Sequence, residues 1–160
     1  METADPDAIA AAYEQGLKLL VRREHSRREL AHKLRDRNHE ASAVAAALDR
    51  LEAENALNDG RFAEEYARAR FAKGFGPVRV LAELREYGVD GEGLGFAHLD
   101  DSDERDLAAA QCRKRFGTEP PADRKTAAKR MRYLQQRGFS PGICAAVVNG
   151  RGNPEDGCDL

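Results

Sequence analysis

Three histidines are the first residues whose types and spacing suggest chemistry, because His25, His32 and His39 recur every seven positions. Histidines that share one helix face are common metal ligands. Seven residues, however, span two helical turns, or about 10.5 Å of rise, and two imidazoles that far apart cannot both bind one ion at about 2 Å. The spacing therefore argues against a metal stripe, and we expect neither a metal site nor a cofactor.

The cysteines and carboxylates are the other candidates for reactive groups. The chain has three cysteines, Cys112, Cys144 and Cys158, with no Cys-x-x-Cys pair, so neither a disulfide framework nor a zinc site is indicated. HExxH and paired Rossmann glycines do not occur either. The dense carboxylates from Asp100 to Asp106 are typical of a solvated linker and helix start. The sequence thus predicts a protein that is not an enzyme and has no small-molecule substrate.

Charge is unevenly distributed along a chain whose formal net charge is only -2. Eight basic residues stand against three acidic ones between positions 18 and 37, and nine against two between positions 113 and 137. Between positions 83 and 106 nine acidic residues stand against two basic ones. Any one block is most often a solvated helix face. Alternating blocks also suit a patterned partner surface, whereas few aromatic residues accompany the basic blocks, so nucleic-acid binding is the secondary interpretation.

The start of the chain favours a cytoplasmic protein. Met1 to Ile9 is acidic and lacks the apolar core of a signal peptide. No later stretch approaches the roughly 18 consecutive apolar residues of a membrane span. Together with the unpaired cysteines, these features predict a reducing compartment and no membrane partner.

A six-residue pattern recurs at intervals of fifty residues, in the segments 34–39, 84–89 and 134–139. Each begins with Leu and has Asn or Gly at its fifth position, and these two residue types enter the left-handed conformation most readily and so often follow a helix end. The predicted helix stops are Asn38, Gly88 and Gly138. A Schellman geometry at these stops would place His39 on Leu34, Val89 on Leu84 and Phe139 on Leu134.

Helix-start residues and apolar spacing predict a helix on either side of each stop. Ser26 and Glu29 form a capping box, Pro77 suits a first helical position, and Asp123 can cap the helix before the third stop. Further cap candidates are Asn58, Asp59, Ser102 and Ser140. We expect the helix between positions 90 and 100 to be short or frayed, because each glycine at 91, 93 and 95 costs about 1 kcal/mol in a helix interior.

These elements predict an all-α fold, an elongated, curved array of three tandem three-helix repeats with a period of about fifty residues. A three-helix unit buries little apolar area alone, so neighbouring units should stack. The predicted boundaries are 1–56, 57–101 and 102–150 for the repeats, followed by a polar tail over 151–160.

A long ordered motif occupies the centre of the chain. It runs Leu57-Asn58-Asp59-Gly60-Arg61-Phe62-Ala63-Glu64-Glu65-Tyr66 and continues through Arg68, Arg70 and Lys73-Gly74-Phe75-Gly76-Pro77 to Glu83-Leu84. With Arg23-Glu24-His25-Ser26 before it and Arg137-Gly138-Phe139-Ser140 after it, this motif resembles the signature of the RecX family over roughly residues 13–148. The chain departs from that pattern in the glycine-rich segment 91–95 and in its short polar tail.

The resemblance implies a regulatory protein that binds in the deep groove of the RecA–DNA filament and bridges neighbouring RecA subunits. It implies that RecA's ATP hydrolysis, strand exchange and stimulation of repressor self-cleavage are modulated, mainly downward, in recombination, DNA repair and the SOS response. Two alternatives stay open. One is a direct DNA-binding module that resembles a helix-turn-helix, and the other is a general helical scaffold.

We predict that the partner-binding residues are cations in and around the motif, because long cations suit carboxylate or phosphate contacts and suit a core poorly. Phe62 and Tyr66 are expected in the core, and Gly74, Gly76 and Pro77 in a turn. Asp59 is either a helix cap or a partner contact. The candidates are Asp59, Arg61, Arg68, Arg70, Lys73, Arg79, Arg27, Arg28, Lys129, Arg130 and Arg132.

Overall fold

The computed structural model describes residues 3–91 and 99–150, and within these ranges all of the regular secondary structure is helical. The helices are α1 (Pro6–Arg22), α2 (Arg27–Asp36), α3 (Ala41–Ala53), α4 (Asp59–Ala72), α5 (Pro77–Glu86), α6 (Asp101–Phe116), α7 (Arg124–Arg137) and α8 (Pro141–Asn149). The prediction of an all-α chain is confirmed. The short helix expected between 90 and 100 falls mainly on residues 92–98, and the polar tail on 151–160, both outside the described residues.

The three helix stops form at the predicted positions. The left-handed φ angles are 65° at Asn38, 77° at Gly88 and 96° at Gly138. The backbone N–H of the residue after each stop donates to the Leu carbonyl five positions earlier: His39 to Leu34 at 3.2 Å, Val89 to Leu84 at 2.9 Å and Phe139 to Leu134 at 3.2 Å. This 6→1 bond is the defining bond of the Schellman motif. The fifty-residue pattern is therefore a repeat of one hydrogen-bonded helix end.

The chain divides into two compact units, of which the first contains Met1–Tyr66 and Leu84–Gly91. Helices α1, α2 and α3 pack together in this unit. Their apolar faces, together with Leu57 in the loop after α3, form a core that also contains Leu19, Leu30, Leu34, Val44, Leu48 and Leu51. Phe62 is buried, as predicted, and its ring lies 5.7 Å from that of Tyr66 and 5.3 Å from that of Tyr87. Tyr66 is half-buried, and its ring lies 5.3 Å from that of Tyr87.

The second unit contains Ala67–Glu83 and the chain from Glu92 onward. Helices α6, α7 and α8 pack around a core of Ala108, Cys112, Leu134, Phe139, Ile143, Cys144 and Val148. Pro77 takes the first position of α5, as predicted. The segment before it lies against the end of α7, because Gly76 N–H donates to the Arg137 carbonyl at 2.7 Å and Val78 N–H to the Gly138 carbonyl at 2.9 Å.

Two predictions about the start of α6 are wrong in detail. The N-cap of α6 is Asp100 and not Ser102, whose N–H donates to the Asp100 carboxylate at 3.0 Å. Glu104 is 6% exposed, although the sequence predicts a solvated stretch there. Its carboxylate accepts from the backbone N–H of Ser140 at 2.8 Å and from the Ser140 hydroxyl at 2.9 Å. A charged side chain is buried here because it satisfies the start of α8.

The capping box at Ser26 forms only in part. The Ser26 hydroxyl accepts from Glu29 N–H at 3.1 Å, as predicted. The Glu29 carboxylate, however, pairs with the Arg23 guanidinium and lies 3.5 Å from Lys33 Nζ. Two cations nearby attract the carboxylate more strongly than a backbone N–H does.

Candidate partner-binding surface

Asp59 and Arg61, at the start of α4, are held inside the first unit. Asp59 Oδ1 accepts from the backbone N–H of Arg27 at 2.8 Å, so Asp59 caps α2 across the fold and not its own helix. Arg61 Nε donates to Glu24 Oε1 at 2.6 Å, and its two terminal nitrogens donate to the carbonyls of Asn55 and Ala56 at 3.0 and 3.1 Å. Both side chains stabilise the unit through contacts that leave little free capacity for a partner.

The two arginines at the start of α2 differ from each other. Arg27 makes ion pairs of 2.9 Å with both Asp49 and Glu52 of α3. Arg28 is exposed, and its alkyl stem crosses Gly88, where an added Cβ would lie 2.9 Å from Arg28 Cδ. The Arg28 guanidinium has no hydrogen bond or ion pair within residues 3–91 and 99–150. Of these two arginines, only Arg28 has a guanidinium group that is available to a binding partner in the part of the chain that the structure describes.

Phe75, one of the aromatic residues of the motif, is surrounded by three guanidinium groups in the second unit. The guanidinium carbons of Arg70, Arg137 and Arg79 lie 3.8, 4.1 and 4.4 Å from its ring centroid. Glu83 neutralises part of this charge, since it accepts from Arg70 at 2.9 and 2.7 Å and from Arg79 at 3.0 Å. Arg70 and Arg79 therefore stabilise the motif. Both make cation–π contacts with Phe75, and Arg70 also makes a bidentate contact with Glu83.

Sequence reasoning did not single out Arg137 as a member of this cluster. Its Nε donates to the Gly74 carbonyl at 3.2 Å and its Nη2 to the Lys73 carbonyl at 2.6 Å. These bonds attach the end of α7 to the turn between α4 and α5. The segment Arg137-Gly138-Phe139-Ser140 matches the family signature, but nothing in the spacing pairs it with a turn more than sixty residues earlier.

The exposed cations of the motif are Arg68 and Lys73. Arg68 lies on α4 and Lys73 directly after it, and both side chains are exposed. Neither charged group has a hydrogen bond or ion pair in the described part of the chain. Alkyl stems of this length carry a charge several ångströms away from the helix, where a partner's carboxylate or phosphate can reach it.

The three candidates on α7 also divide into buried and exposed residues. Arg130 is 9% exposed, and its Nη1 donates to the Glu119 carbonyl at 2.8 Å while its guanidinium lies 5.4 Å from the Phe116 ring centroid. Lys129 and Arg132 are exposed, with no ion-pair partner among the residues that the structure describes. Five of the predicted cations thus have a charged group with no partner within 3–91 and 99–150, and these are Arg28, Arg68, Lys73, Lys129 and Arg132.

Burial shifts the pKa values of two titratable groups, His25 and Cys144. Burial lowers the pKa of His25, whose Nδ1 lies 3.0 Å from the Arg23 carbonyl and whose Nε2 lies 2.9 Å from Lys33 Nζ. Since Nδ1 faces a carbonyl it carries the proton, so Nε2 accepts from the lysine and the ring is neutral. Burial also raises the pKa of the Cys144 thiol to about 11. A protonated thiol is a poor nucleophile.

The described residues hold no group of three or more His, Cys, Asp or Glu side chains that could bind a metal ion. None of their helices combines the length and apolar character that crossing a bilayer requires.

The helix ends and cores described above define a class, the helical-repeat proteins built from short three-helix domains. Family models of the first, second and third three-helix domains of RecX match residues 12–51, 58–92 and 102–148. The chain belongs to the RecX family.

Curated relatives and solved structures agree with this assignment. The chain is 44% identical over 135 residues to the regulatory protein RecX of Halorhodospira halophila, covering 83% of each chain. It is 39% identical over 155 residues to that of Acidithiobacillus ferrooxidans, covering 97% of this chain and 95% of the relative. The crystal structure of RecX from Lactobacillus salivarius has the same fold, with a TM-score of 0.77 at 21% identity over 90% of this chain and 96% of that one. The two curated relatives are named as regulatory proteins.

Proposed function

We propose that this chain regulates RecA by binding in the groove of the RecA–DNA filament, where it mainly inhibits ATP hydrolysis, strand exchange and stimulated repressor cleavage. The observation that carries the proposal is the set of five predicted cations whose charges have no partner in the described chain, in a protein of the RecX family. A RecA partner also implies a cytoplasmic location and a role in DNA repair and the SOS response.

The exposed cations suit contacts with carboxylates on a protein filament. Arg68 lies in the last turns of α4 and Lys73 directly after that helix, while Lys129 and Arg132 lie three positions apart, within one turn of α7. Each set belongs to the second unit, and Arg68, Lys129 and Arg132 lie on helices. Rim charges of this kind mainly set association rate and partner choice. The proposal therefore assigns recognition to the cations and the regulatory effect to occupation of the groove.

The test is the DNA-dependent ATPase of RecA, measured with increasing amounts of the protein. We expect inhibition at substoichiometric ratios. In the double variant Arg68→Glu/Lys73→Glu, half-inhibition should need roughly tenfold or more protein, because each exposed ion pair is worth up to about 1 kcal/mol and charge reversal adds repulsion.

The matched control is Lys18→Glu/Arg22→Glu, which reverses two exposed cations on α1 that are not among the predicted contacts. We expect this control to inhibit like the unmodified protein, with equal helical content by circular dichroism in all three. Equal weakening in both double variants would contradict the assignment of Arg68 and Lys73. No effect of the unmodified protein at any ratio would contradict the regulatory proposal itself.

A second candidate is direct binding to DNA, favoured by the basic residues Lys129 and Arg132 on the exposed side of α7. Binding through phosphates would make the affinity for bare DNA fall steeply with salt, with a log–log slope close to the number of phosphates that the protein neutralises. Binding to bare duplex that Lys129→Glu/Arg132→Glu abolishes, together with an unchanged RecA ATPase, would favour this candidate over the first.

A further inference from the structure

The arginine cluster of the second unit, Arg70, Arg79 and Arg137, carries more positive charge than its carboxylate partner balances. All three guanidinium carbons lie within 4.4 Å of the Phe75 ring centroid. Glu83 is the carboxylate that pairs with this cluster, and it bonds to Arg70 and Arg79. Like charges this close repel one another. Three guanidinium groups with one carboxylate therefore favour the approach of a further anion.

Arg137 is the member of the arginine cluster whose charge is not balanced. Its guanidinium donates to the carbonyls of Gly74 and Lys73, and it has no ion pair among the residues that the structure describes. The side chain is half-buried, and a charge removed from water is costly unless an opposite charge lies near it. The bond from Arg137 Nη2 to the Lys73 carbonyl is solvent-exposed, so a carboxylate from outside can reach this guanidinium.

An exposed apolar side chain adjoins the arginine cluster. Among the described residues, the large apolar side chains that are exposed are Val78, at 53%, and Val21, at 86%. A single exposed valine is ordinary, but Val78 N–H donates to the carbonyl of Gly138 at 2.9 Å, directly after Arg137. This backbone bond fixes Val78 beside the unbalanced charge. Phosphate contacts are polar and gain little from a valine, whereas a protein segment can present a carboxylate and an apolar side chain together.

We propose that Val78 and the arginine cluster form a docking surface for a segment of RecA that places a carboxylate next to an apolar side chain. The carboxylate pairs with Arg137, and the apolar side chain covers Val78. This inference rests on the proposed function. It adds an apolar contact and a half-buried charge to the exposed cations that the proposed function assigns to recognition.

The apolar contact is tested with two valine variants of the full chain, whose affinity for immobilised RecA–DNA filaments is measured by biolayer interferometry. Val78→Ser should bind about fivefold more weakly, because a half-exposed valine no longer contributes apolar surface to the interface. The control, Val21→Ser, removes the more exposed valine, on α1, and should bind like the unmodified chain. Equal affinity of Val78→Ser and the unmodified chain would overturn the proposal.

The charge of the surface is tested with Glu83→Gln, which removes the carboxylate that pairs with the arginine cluster. We expect about threefold tighter binding to the filament, because more positive charge faces the partner's carboxylate. Damage to the fold alone would not tighten binding. The control, Glu54→Gln, frees Arg50 in the first unit from an ion pair of 3.1 Å and should leave the affinity unchanged. Unchanged or weaker binding by a Glu83→Gln protein with normal circular dichroism would overturn the proposal, and the valine pair decides it if this variant does not fold.

Bare DNA distinguishes a phosphate partner from a carboxylate partner. We expect Val78→Ser to leave the affinity for bare DNA unchanged and Glu83→Gln to raise it less than the affinity for the filament. If Glu83→Gln strengthens both equally, the anion is a phosphate and the carboxylate assignment is wrong. If the unmodified chain binds no filament, the proposed function fails and this inference fails with it. If the unmodified chain binds and Val78→Ser binds equally well, only this inference fails.

Discussion

Replacing Gly76 with alanine should lower the free energy of unfolding of the second unit, because Gly76 lies directly against the backbone of Gly138 and Phe139. A Cβ at position 76 would lie 2.4 Å from the carbonyl oxygen of Gly138, 2.5 Å from its carbonyl carbon and 2.7 Å from the nitrogen of Phe139. All three are backbone atoms, so no side chain can rotate away. The segment must separate from the end of α7, which breaks the bonds from Gly76 to Arg137 and from Val78 to Gly138.

The magnitude follows from these contacts. Two backbone hydrogen bonds contribute about 1 kcal/mol each, and forcing a methyl group into a filled space costs about 1–3 kcal/mol. The free energy of unfolding of the second unit should therefore fall by about 3–5 kcal/mol. Since about 1.4 kcal/mol corresponds to a factor of ten, the population of the open unit should rise by about a hundredfold to a few thousandfold.

The assay is thiol labelling of Cys144, whose side chain is fully buried in the core of this unit. When opening and closing are fast, the labelling rate is proportional to the open population. The control is Gly142→Ala, because an added Cβ there meets no atom within 4 Å and alanine favours helix α8. Faster labelling in Gly76→Ala but not in Gly142→Ala is expected. A Gly76→Ala protein that protects Cys144 as well as the unmodified chain would refute this reasoning.

Three further predictions concern side chains with defined partners. Arg70→Ala should lower the free energy of unfolding by about 2–4 kcal/mol, because it removes two hydrogen bonds to Glu83 and a cation–π contact. The control is Arg68→Ala at an exposed position, which should change the free energy of unfolding by less than about 0.5 kcal/mol. Equal urea midpoints for the two variants would contradict this prediction. Burial lowers the pKa of His25, so near this pKa the folded chain binds fewer protons than the unfolded chain. The stability that His25 contributes is therefore present above about pH 6.5 and is lost as the pH falls below that value. Urea midpoints measured from pH 7 to 5 should fall more steeply for the unmodified protein than for His25→Asn, and parallel curves would show that His25 titrates normally. With a pKa of about 11, Cys144 should stay unreactive toward iodoacetamide in the folded protein up to about pH 9, as followed by mass spectrometry, and labelling that saturates near pH 8 would contradict the burial.

The helix ends could be predicted from the sequence because their causes are local. Asn38, Gly88 and Gly138 stop helices through bonds that reach only five residues back, and the interval of fifty residues makes the three stops recognisable together. Asp123 likewise caps α7 through Thr126, three positions on. Where one residue type and a fixed short spacing determine the geometry, the sequence pattern is sufficient to predict the helix end.

The partners of the charged side chains could not be predicted, because they depend on which segments meet in space. The sequence makes Asp59 a cap candidate, but the helix it caps is α2, through Arg27, 32 residues earlier in the chain. The need for glycine at position 76 comes from the approach of Gly138, and the burial of Glu104 from Ser140. The sequence alone does not show whether an arginine is a free surface charge or makes stabilising contacts within the fold. Only the positions of Glu24, Glu83 and Phe75 show which arginines make such contacts.

The most direct measurement of the central proposal is a cryo-EM map of the RecA–DNA filament with this protein bound. We expect density for helices α4 and α7 inside the deep groove, with Arg68 and Lys73 facing carboxylates of RecA. Density at the filament ends alone, or on bare DNA with an empty groove, would contradict the proposal.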